Sequence, residues 1–192
     1  EANPIVLFKK WFATAEKSET NDPNALSLAT SSSDGIPSVR MVLLKGLSDS
    51  GFVFYTNFDS KKGNDLKSNP NASMCFHWKS IRRQIRVSGK VSSVDKEEAD
   101  KYFASRDYGS KISAWASSQS KVMKNRNEFL DKIKEYEKKF PDKNNVSRPT
   151  HWSGWKIIPN EIEFWLEIKN RSHQRLNYRK ESGNWIKEIL YP

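Results

Sequence analysis

Residues 25–57 read ALSLATSSSDGIPSVRMVLLKGLSDSGFVFYTN, and the pattern in this stretch decides the fold class. Ala25 to Thr30 alternates apolar and small residues. Ser33-Asp34-Gly35 makes a turn, Val39 to Leu44 is rich in β-formers, Ser48-Asp49-Ser50-Gly51 makes a second turn, and Phe52 to Thr56 forms a third strand. Short strands joined by tight turns are hairpins, so the centre of the fold is an antiparallel sheet.

Upstream, Asn3-Pro4 precedes Leu7, Phe8, Trp11, Phe12 and Ala15, which recur at helical spacing with proline in the first turn. Downstream, Asp59 to Lys67 reads as a short helix ended by Asn69-Pro70. Ala72 to Trp78 and Gln84 to Val94 read as strands paired across Lys79 to Arg83. Asp95 caps a helix over Glu97 to Ala104, Ile112 to Ser117 reads as another, and Asn125 to Phe140 as a charged amphipathic helix. Asp142 to Pro149 is a polar loop. Trp152 to Ile158, Ile162 to Trp165, Arg175 to Arg179 and Trp185 to Ile189 close the chain as strands. Antiparallel strands with helices inserted between them give an α+β barrel in one domain over residues 1–192.

The composition supports a packed core, with 36% hydrophobic residues, 7 Trp, 10 Phe and 6 Tyr. The single cysteine, Cys75, lies in an apolar run and is expected as a buried core thiol. No Cys/His cluster has metal-ligand spacing, and no metal is expected. No G-x-G-x-x-G follows a strand, which argues against a dinucleotide site. No apolar run approaches the roughly 20 residues of a membrane helix. No signal peptide is visible, so a cytoplasmic setting and no membrane partner are expected. The chain begins at Glu1 rather than Met, and residues are expected upstream. Lys and Arg number 33 against 23 Asp and Glu. Such an excess attracts polyanions. The cations are spread, however, with no finger, RNP-type sequence or polybasic arm, so phosphate-bearing small ligands are expected rather than nucleic acid.

Four constellations carry chemistry. Arg40-Met41-Val42-Leu43-Leu44-Lys45 places two cations around an apolar core run, facing opposite ways on a strand unless a bulge intervenes. Tyr55-Thr56-Asn57 runs into Ser60-Lys61-Lys62-Gly63, where hydroxyls, free backbone N–H groups and lysines at a helix start suit a phosphate. Tyr102, Arg106 and Ser110 are spaced by four and share one face if helical. The polar pair Gln119-Ser120 follows them. Glu163-Phe164-Trp165 precedes Arg171, His173 and Arg175, which alternate and on a strand point to one face, where they repel unless something anionic or electron-rich lies there.

With Arg83-Gln84 and Trp152 added, these separated motifs occur in an order and spacing that resembles the pyridoxine (pyridoxamine) 5′-phosphate oxidase family over nearly the whole chain. The resemblance implies a split β-barrel with peripheral helices, a dimerisation and substrate region at about 150–192, and a homodimer with FMN in a cleft between subunits. It implies oxidation of pyridoxine or pyridoxamine 5′-phosphate to pyridoxal 5′-phosphate, with O2 as acceptor and H2O2 as product. It assigns FMN contacts to Arg40, Met41, Val42, Leu43, Leu44, Lys45, Tyr55, Thr56, Lys61, Lys62, Gln84, Gln119, Ser120, Trp165 and Arg175. Substrate contacts fall on Lys45, Tyr102, Arg106, Ser110, Arg171 and His173, the last two beside the reacting carbon as catalytic residues. Within the family pattern Ser172, Gln174 and Lys61 depart from the usual Leu, Asp and Arg. Lys61 keeps the charge but loses the planar fork. Part of the family's N-terminal substrate-covering segment is expected upstream of Glu1. Two other outcomes stay open: a relative that oxidises another substrate, such as a phenazine precursor, and a non-catalytic flavin-, haem- or nucleic-acid-binding module. Tyr102, Arg106 and Ser110 argue against a phenazine, which has no phosphate to hold.

Overall fold

The computed structural model describes residues 1–192. Nine strands form one antiparallel sheet: β1 (Ala25–Ser31), β2 (Pro37–Leu43), β3 (Gly46–Ser48), β4 (Gly51–Asn57), β5 (Asn71–Trp78), β6 (Arg83–Ser93), β7 (Trp152–Leu166), β8 (Gln174–Glu181) and β9 (Asn184–Leu190). Their order is β2-β1-β5-β6-β7-β4-β3, with β8 on β7 and β9 on β8. Five helices accompany them: α1 (Pro4–Ser18), α2 (Lys61–Ser68), α3 (Lys96–Ala104), α4 (Tyr108–Ala116) and α5 (Arg126–Lys139). This is the expected α+β split barrel with peripheral helices.

The sheet curls because β7 serves two neighbours on one edge. Its first half pairs with β4, from Trp152↔Asn57 to Ile157↔Phe52, and its second half with β8, from Glu161↔Arg179 to Leu166↔Gln174. β6 runs along both halves, and its register shifts between Ser88 and Gly89, opposite Pro159. A bulge of this kind bends a strand and increases its twist. Gly89 permits it, because a Cβ there would lie 2.1 Å from the Ile158 carbonyl oxygen. The two strands expected over 152–158 and 162–165 are therefore one bent strand.

Alternation places Leu26 and Leu28 of β1 and Met74, Phe76 and Trp78 of β5 on the inner face. α1 covers that face. Asn3 caps it by accepting from the Ile5 N–H at 2.8 Å, and Phe8, fully buried, meets the rings of Phe52 and Phe76 edge-on at 4.9 and 5.1 Å. Burial of such rings supplies about 2–3 kcal/mol apiece.

Three expectations are corrected. Cys75 is half-buried on the outer face of β5, because Met74 and Phe76 take the inward positions on either side of it. β2 is a sheet edge rather than a core strand, with Val39 and Met41 more than 60% exposed. Tyr102, Arg106 and Ser110 do not share one helix: α3 stops at Ala104, and Asp107 starts α4 by accepting from the Ser110 N–H at 2.8 Å.

Candidate active site

A cavity of about 770 Å³ opens between the end of β2, β4, the start of α2, the α3–α4 corner and the segment through Gln119. Its polar end is built by local chemistry at α2. Ser60 caps that helix, accepting from the Gly63 N–H at 3.3 Å and donating to the Asn57 carbonyl at 2.6 Å. Only glycine fits at 63, since a Cβ would lie 2.2 Å from the Phe58 carbonyl oxygen. The helix start is thus pressed against the end of β4.

Lys62 is buried there. Its ammonium donates to Thr56 Oγ1 at 3.0 Å, Gln119 Oε1 at 3.1 Å and Ser60 Oγ at 3.3 Å, all neutral acceptors. Burial, helped by the nearby Arg40 charge, pushes its pKa down to about 8. Arg40 and Lys61 share one carboxylate, the buried Asp65. Its oxygens lie 3.3 Å from Lys61 Nζ and 3.8 Å from Arg40 Nη2, and it accepts from Thr30 Oγ1 at 2.7 Å. Arg40 is further fixed by donating to Thr30 Oγ1 at 2.6 Å, Ser38 Oγ at 2.8 Å and the Leu28 carbonyl at 3.2 Å. Three cations and one carboxylate leave two positive charges in excess beside a helix N-terminus. A phosphate is the group such an end accepts. The buried ammonium without a carboxylate partner shows that the residues fit a phosphorylated cofactor. Ser120, also lining the cavity, holds a left-handed backbone at φ 70°. Such strain clusters at ligand sites.

The opposite end is aromatic. Tyr55 stacks on Tyr102 at 3.9 Å and on Trp152 at 5.3 Å, and the Arg106 guanidinium lies 4.7 Å from the centre of the Trp152 ring. Burial drives the Tyr55 hydroxyl pKa up to about 12 and lowers that of Arg106. Lys45 reaches the same cavity as Arg40 because β2 ends at Leu43 and the chain turns, the Lys45 N–H donating to the Val53 carbonyl at 2.8 Å. The opposite-facing expectation for these two cations fails for that reason.

The cavity thus gathers Arg40, Met41, Val42, Leu43, Lys45, Tyr55, Thr56, Lys61, Lys62, Tyr102, Arg106, Gln119 and Ser120. Leu44 points instead into the core, 6% exposed. Ser110 does not line the cavity, being the residue that Asp107 caps. Gln84, Trp165 and Arg175 sit elsewhere on the barrel, as one row across β6, β7 and β8, since Trp165 pairs with both of the others. His173 packs on Trp165 at 4.6 Å and accepts from the Ile168 N–H through Nδ1 at 3.2 Å, leaving Nε2 as the nitrogen that carries the proton in the neutral ring. Arg171 is exposed on a 3-10 turn, Lys169–Arg171, with Asn170 and Arg171 at positive φ. The alternation expected of Arg171, His173 and Arg175 on one strand is corrected accordingly, since β8 begins only at Gln174. His173 and Arg175 line a second cavity, of about 840 Å³, that shares no lining residue with the first.

Asp65 lies outside the residues singled out in the sequence, and Glu163, named there, had no role assigned to it. The i,i+4 spacing of Lys61 and Asp65 was a usable signal. Glu163, buried, accepts from Arg175 Nε at 2.8 Å and Nη2 at 3.0 Å and pairs with Arg86, contacts that only the three-strand register creates. The two arginines hold its carboxyl below the usual range despite the opposing effect of burial.

A split barrel with a phosphate-accepting cleft defines the class: a flavoprotein fold of the FMN-binding type. A solved FMN-binding protein related to pyridoxamine 5′-phosphate oxidase, from Nostoc punctiforme, shares this fold with a TM-score of 0.76 at 18% identity, over 96% of this chain and 97% of that one. The sequence narrows the class. Residues 12–140 match the pyridoxamine 5′-phosphate oxidase family, and residues 152–192 match the pyridoxine 5′-phosphate oxidase C-terminal dimerisation region. The chain is 57% identical to a pyridoxine/pyridoxamine 5′-phosphate oxidase of Pelagibacter ubique, over 99% of this chain and 92% of that protein. It is 50% identical to one of Agrobacterium fabrum, over 100% and 94%. A solved PhzG of Burkholderia lata, in complex with tetrahydrophenazine-1-carboxylic acid, matches with a TM-score of 0.94 at 31% identity, over 100% of this chain and 94% of that one. The chain belongs to the pyridoxine/pyridoxamine 5′-phosphate oxidase family of FMN flavoproteins.

Proposed function

We propose that this protein oxidises pyridoxine or pyridoxamine 5′-phosphate to pyridoxal 5′-phosphate, with FMN as cofactor, O2 as acceptor and H2O2 as product. The observation that carries the reading is the buried, carboxylate-free Lys62 ammonium at the start of α2. FMN supplies the electron acceptor for the carbon that loses hydride. Arg40, Lys61 and Lys62 hold its phosphate, Thr56, Gln119 and Ser120 hydrogen-bond around it, and Met41 to Lys45 and Tyr55 line its path. Lys45, Tyr102 and Arg106 take the substrate phosphate, so each ring is anchored at one end and the two are oriented face to face, where proximity counts most.

Gln84, Trp165 and Arg175 complete the flavin site, and Arg171 and His173 complete the substrate site, from the second copy of a homodimer, because one chain separates them from the first cavity. His173, with Nδ1 engaged by a backbone N–H, presents its Nε2–H as a hydrogen-bond donor to the substrate's alcohol oxygen or amine nitrogen, and Arg171 orients the ring beside it. Ser110 acts at the edge of the phosphate site through the α4 start.

The likeness to PhzG favours a second reading, oxidation of a phenazine precursor. Arg106, with its buried Nη1 unpaired, favours the phosphorylated vitamer. Two assays test the reading. FMN binds the apoprotein at least about a hundredfold more tightly than riboflavin, as expected when charge-assisted hydrogen bonds to the phosphate are lost. FMN-loaded protein releases peroxide with either phosphorylated vitamer; absence of peroxide with both refutes it.

A further inference from the structure

Of the four arginines assigned to ligands, Arg171 is exposed, and the protein holds the other three, Arg40, Arg175 and Arg106, in two ways. Arg40 leans on Asp65 and Arg175 is clamped in two-point fashion by Glu163. Arg106 rests on rings: its guanidinium carbon lies 4.7 Å from the centre of Trp152 and 5.6 Å from that of Phe103. Its Nη1 is buried and has no hydrogen-bond partner. Trp152 is itself fixed. It is 7% exposed at the start of β7, Phe103 meets it edge-on at 5.1 Å, and Tyr55 stacks on it, 9° from parallel.

The two ways of holding a guanidinium differ in what they leave free. A carboxylate takes up two N–H donors and neutralises the charge. An aromatic face attracts the cation through its quadrupole and takes neither. Arg106 is therefore oriented while its fork and its full charge remain for an incoming anion. Tyr102, parallel to Trp152 within 3° and linked to it through Tyr55, is brought to the same end by the same stack.

We propose that Trp152 is the positioning residue of the substrate-phosphate site, holding Arg106 by its ring face so that the guanidinium meets the phosphate unneutralised. This inference rests on the assignment of Arg106 to the substrate phosphate.

The test uses the FMN-loaded enzyme and four variants: Trp152→Leu, Trp152→Phe, Arg106→Ala and the Trp152→Leu/Arg106→Ala pair. Trp152→Leu is expected to raise KM for pyridoxine 5′-phosphate by about threefold to tenfold, the size of a cation–π contact, with kcat and bound flavin unchanged. Inhibition by inorganic phosphate weakens by the same factor. Trp152→Phe, with a weaker quadrupole and the apolar packing largely kept, falls between. In the Arg106→Ala background Trp152→Leu adds nothing further. A loss of the same size with and without Arg106, or a loss in kcat and flavin content at unchanged KM, would make Trp152 a packing residue and overturn the proposal. If Arg106→Ala leaves both KM and phosphate inhibition unchanged, the assignment of Arg106 fails first, a result that the variants separate from failure of the tryptophan.

Discussion

Burial among Thr56, Ser60 and Gln119, helped by the Arg40 charge, pushes the Lys62 ammonium pKa down to about 8. The unfolded chain holds that proton to about 10.4. Between these values the unfolded state binds more protons than the folded one, so this group's contribution to stability rises with pH through that window. Ligand binding runs the other way. A phosphate favours the charged ammonium and takes up a proton when Lys62 has lost it. FMN affinity of the apoprotein is therefore flat from pH 7 to about 8 and falls above it by up to tenfold per unit, and Lys62→Met abolishes the fall, as fluorescence titration would show. Asp65 makes a second test. It is buried between Arg40 and Lys61, and Asp65→Ala leaves both without their carboxylate. A loss of about 3 kcal/mol in urea unfolding is expected, together with weaker FMN binding.

At the scale of elements, the site depends on two tight backbone approaches. The Ser60 cap brings the α2 start, Lys61 and Lys62 with it, against β4; Ser60→Ala loses the cap and is expected to destabilise by about 1–2 kcal/mol. At the bulge between β6 and β7, Gly89→Ala drives a methyl group into the Ile158 carbonyl oxygen, which no side-chain movement relieves. It is expected to lower stability by about 3 kcal/mol in the same urea assay, as backbone shifts of this kind do. Neither approach is visible in residue patterns. The β1–β2 and β5–β6 hairpins were legible from their turns and alternation, but the strand order was not: the strand over Phe52 to Thr56 pairs with β3 and β7 and not with β2. Whether β2 lies at an edge was not legible either, since its exposure depends on which strands arrive beside it. The break between α3 and α4 had a signal in the Asp107 cap, three residues before Ser110. The turn that takes Arg171 off the β8 strand had only a faint one in Asn170, a residue type that tolerates the positive φ found there, while nothing in the residue type of Arg171 announces its own positive φ.

At the scale of the molecule, the cationic cleft was legible as a set of residues, but its division was not. The chain places Arg40, Lys62 and Arg106 around one cavity and His173 and Arg175 around another. Order along a sequence does not record whether residues meet within one chain or between two. The C-terminal dimerisation region supplies the means to join them. Arg106→Ala and His173→Ala, each of little activity alone at substrate concentrations well below the raised KM, damage opposite halves of such a shared site. Heterodimers formed by mixing them carry one intact site and one doubly altered one, so about a quarter of the wild-type activity returns after random exchange. No recovery is expected if each chain holds a whole site.

The most direct measurement of the central claim is the absorbance of the FMN-loaded protein under nitrogen during addition of pyridoxamine 5′-phosphate. Loss of the flavin's visible absorbance, one equivalent of pyridoxal 5′-phosphate for each flavin, and recovery of the absorbance on admitting air are expected. Flavin that stays oxidised with both pyridoxamine and pyridoxine 5′-phosphate would contradict the account.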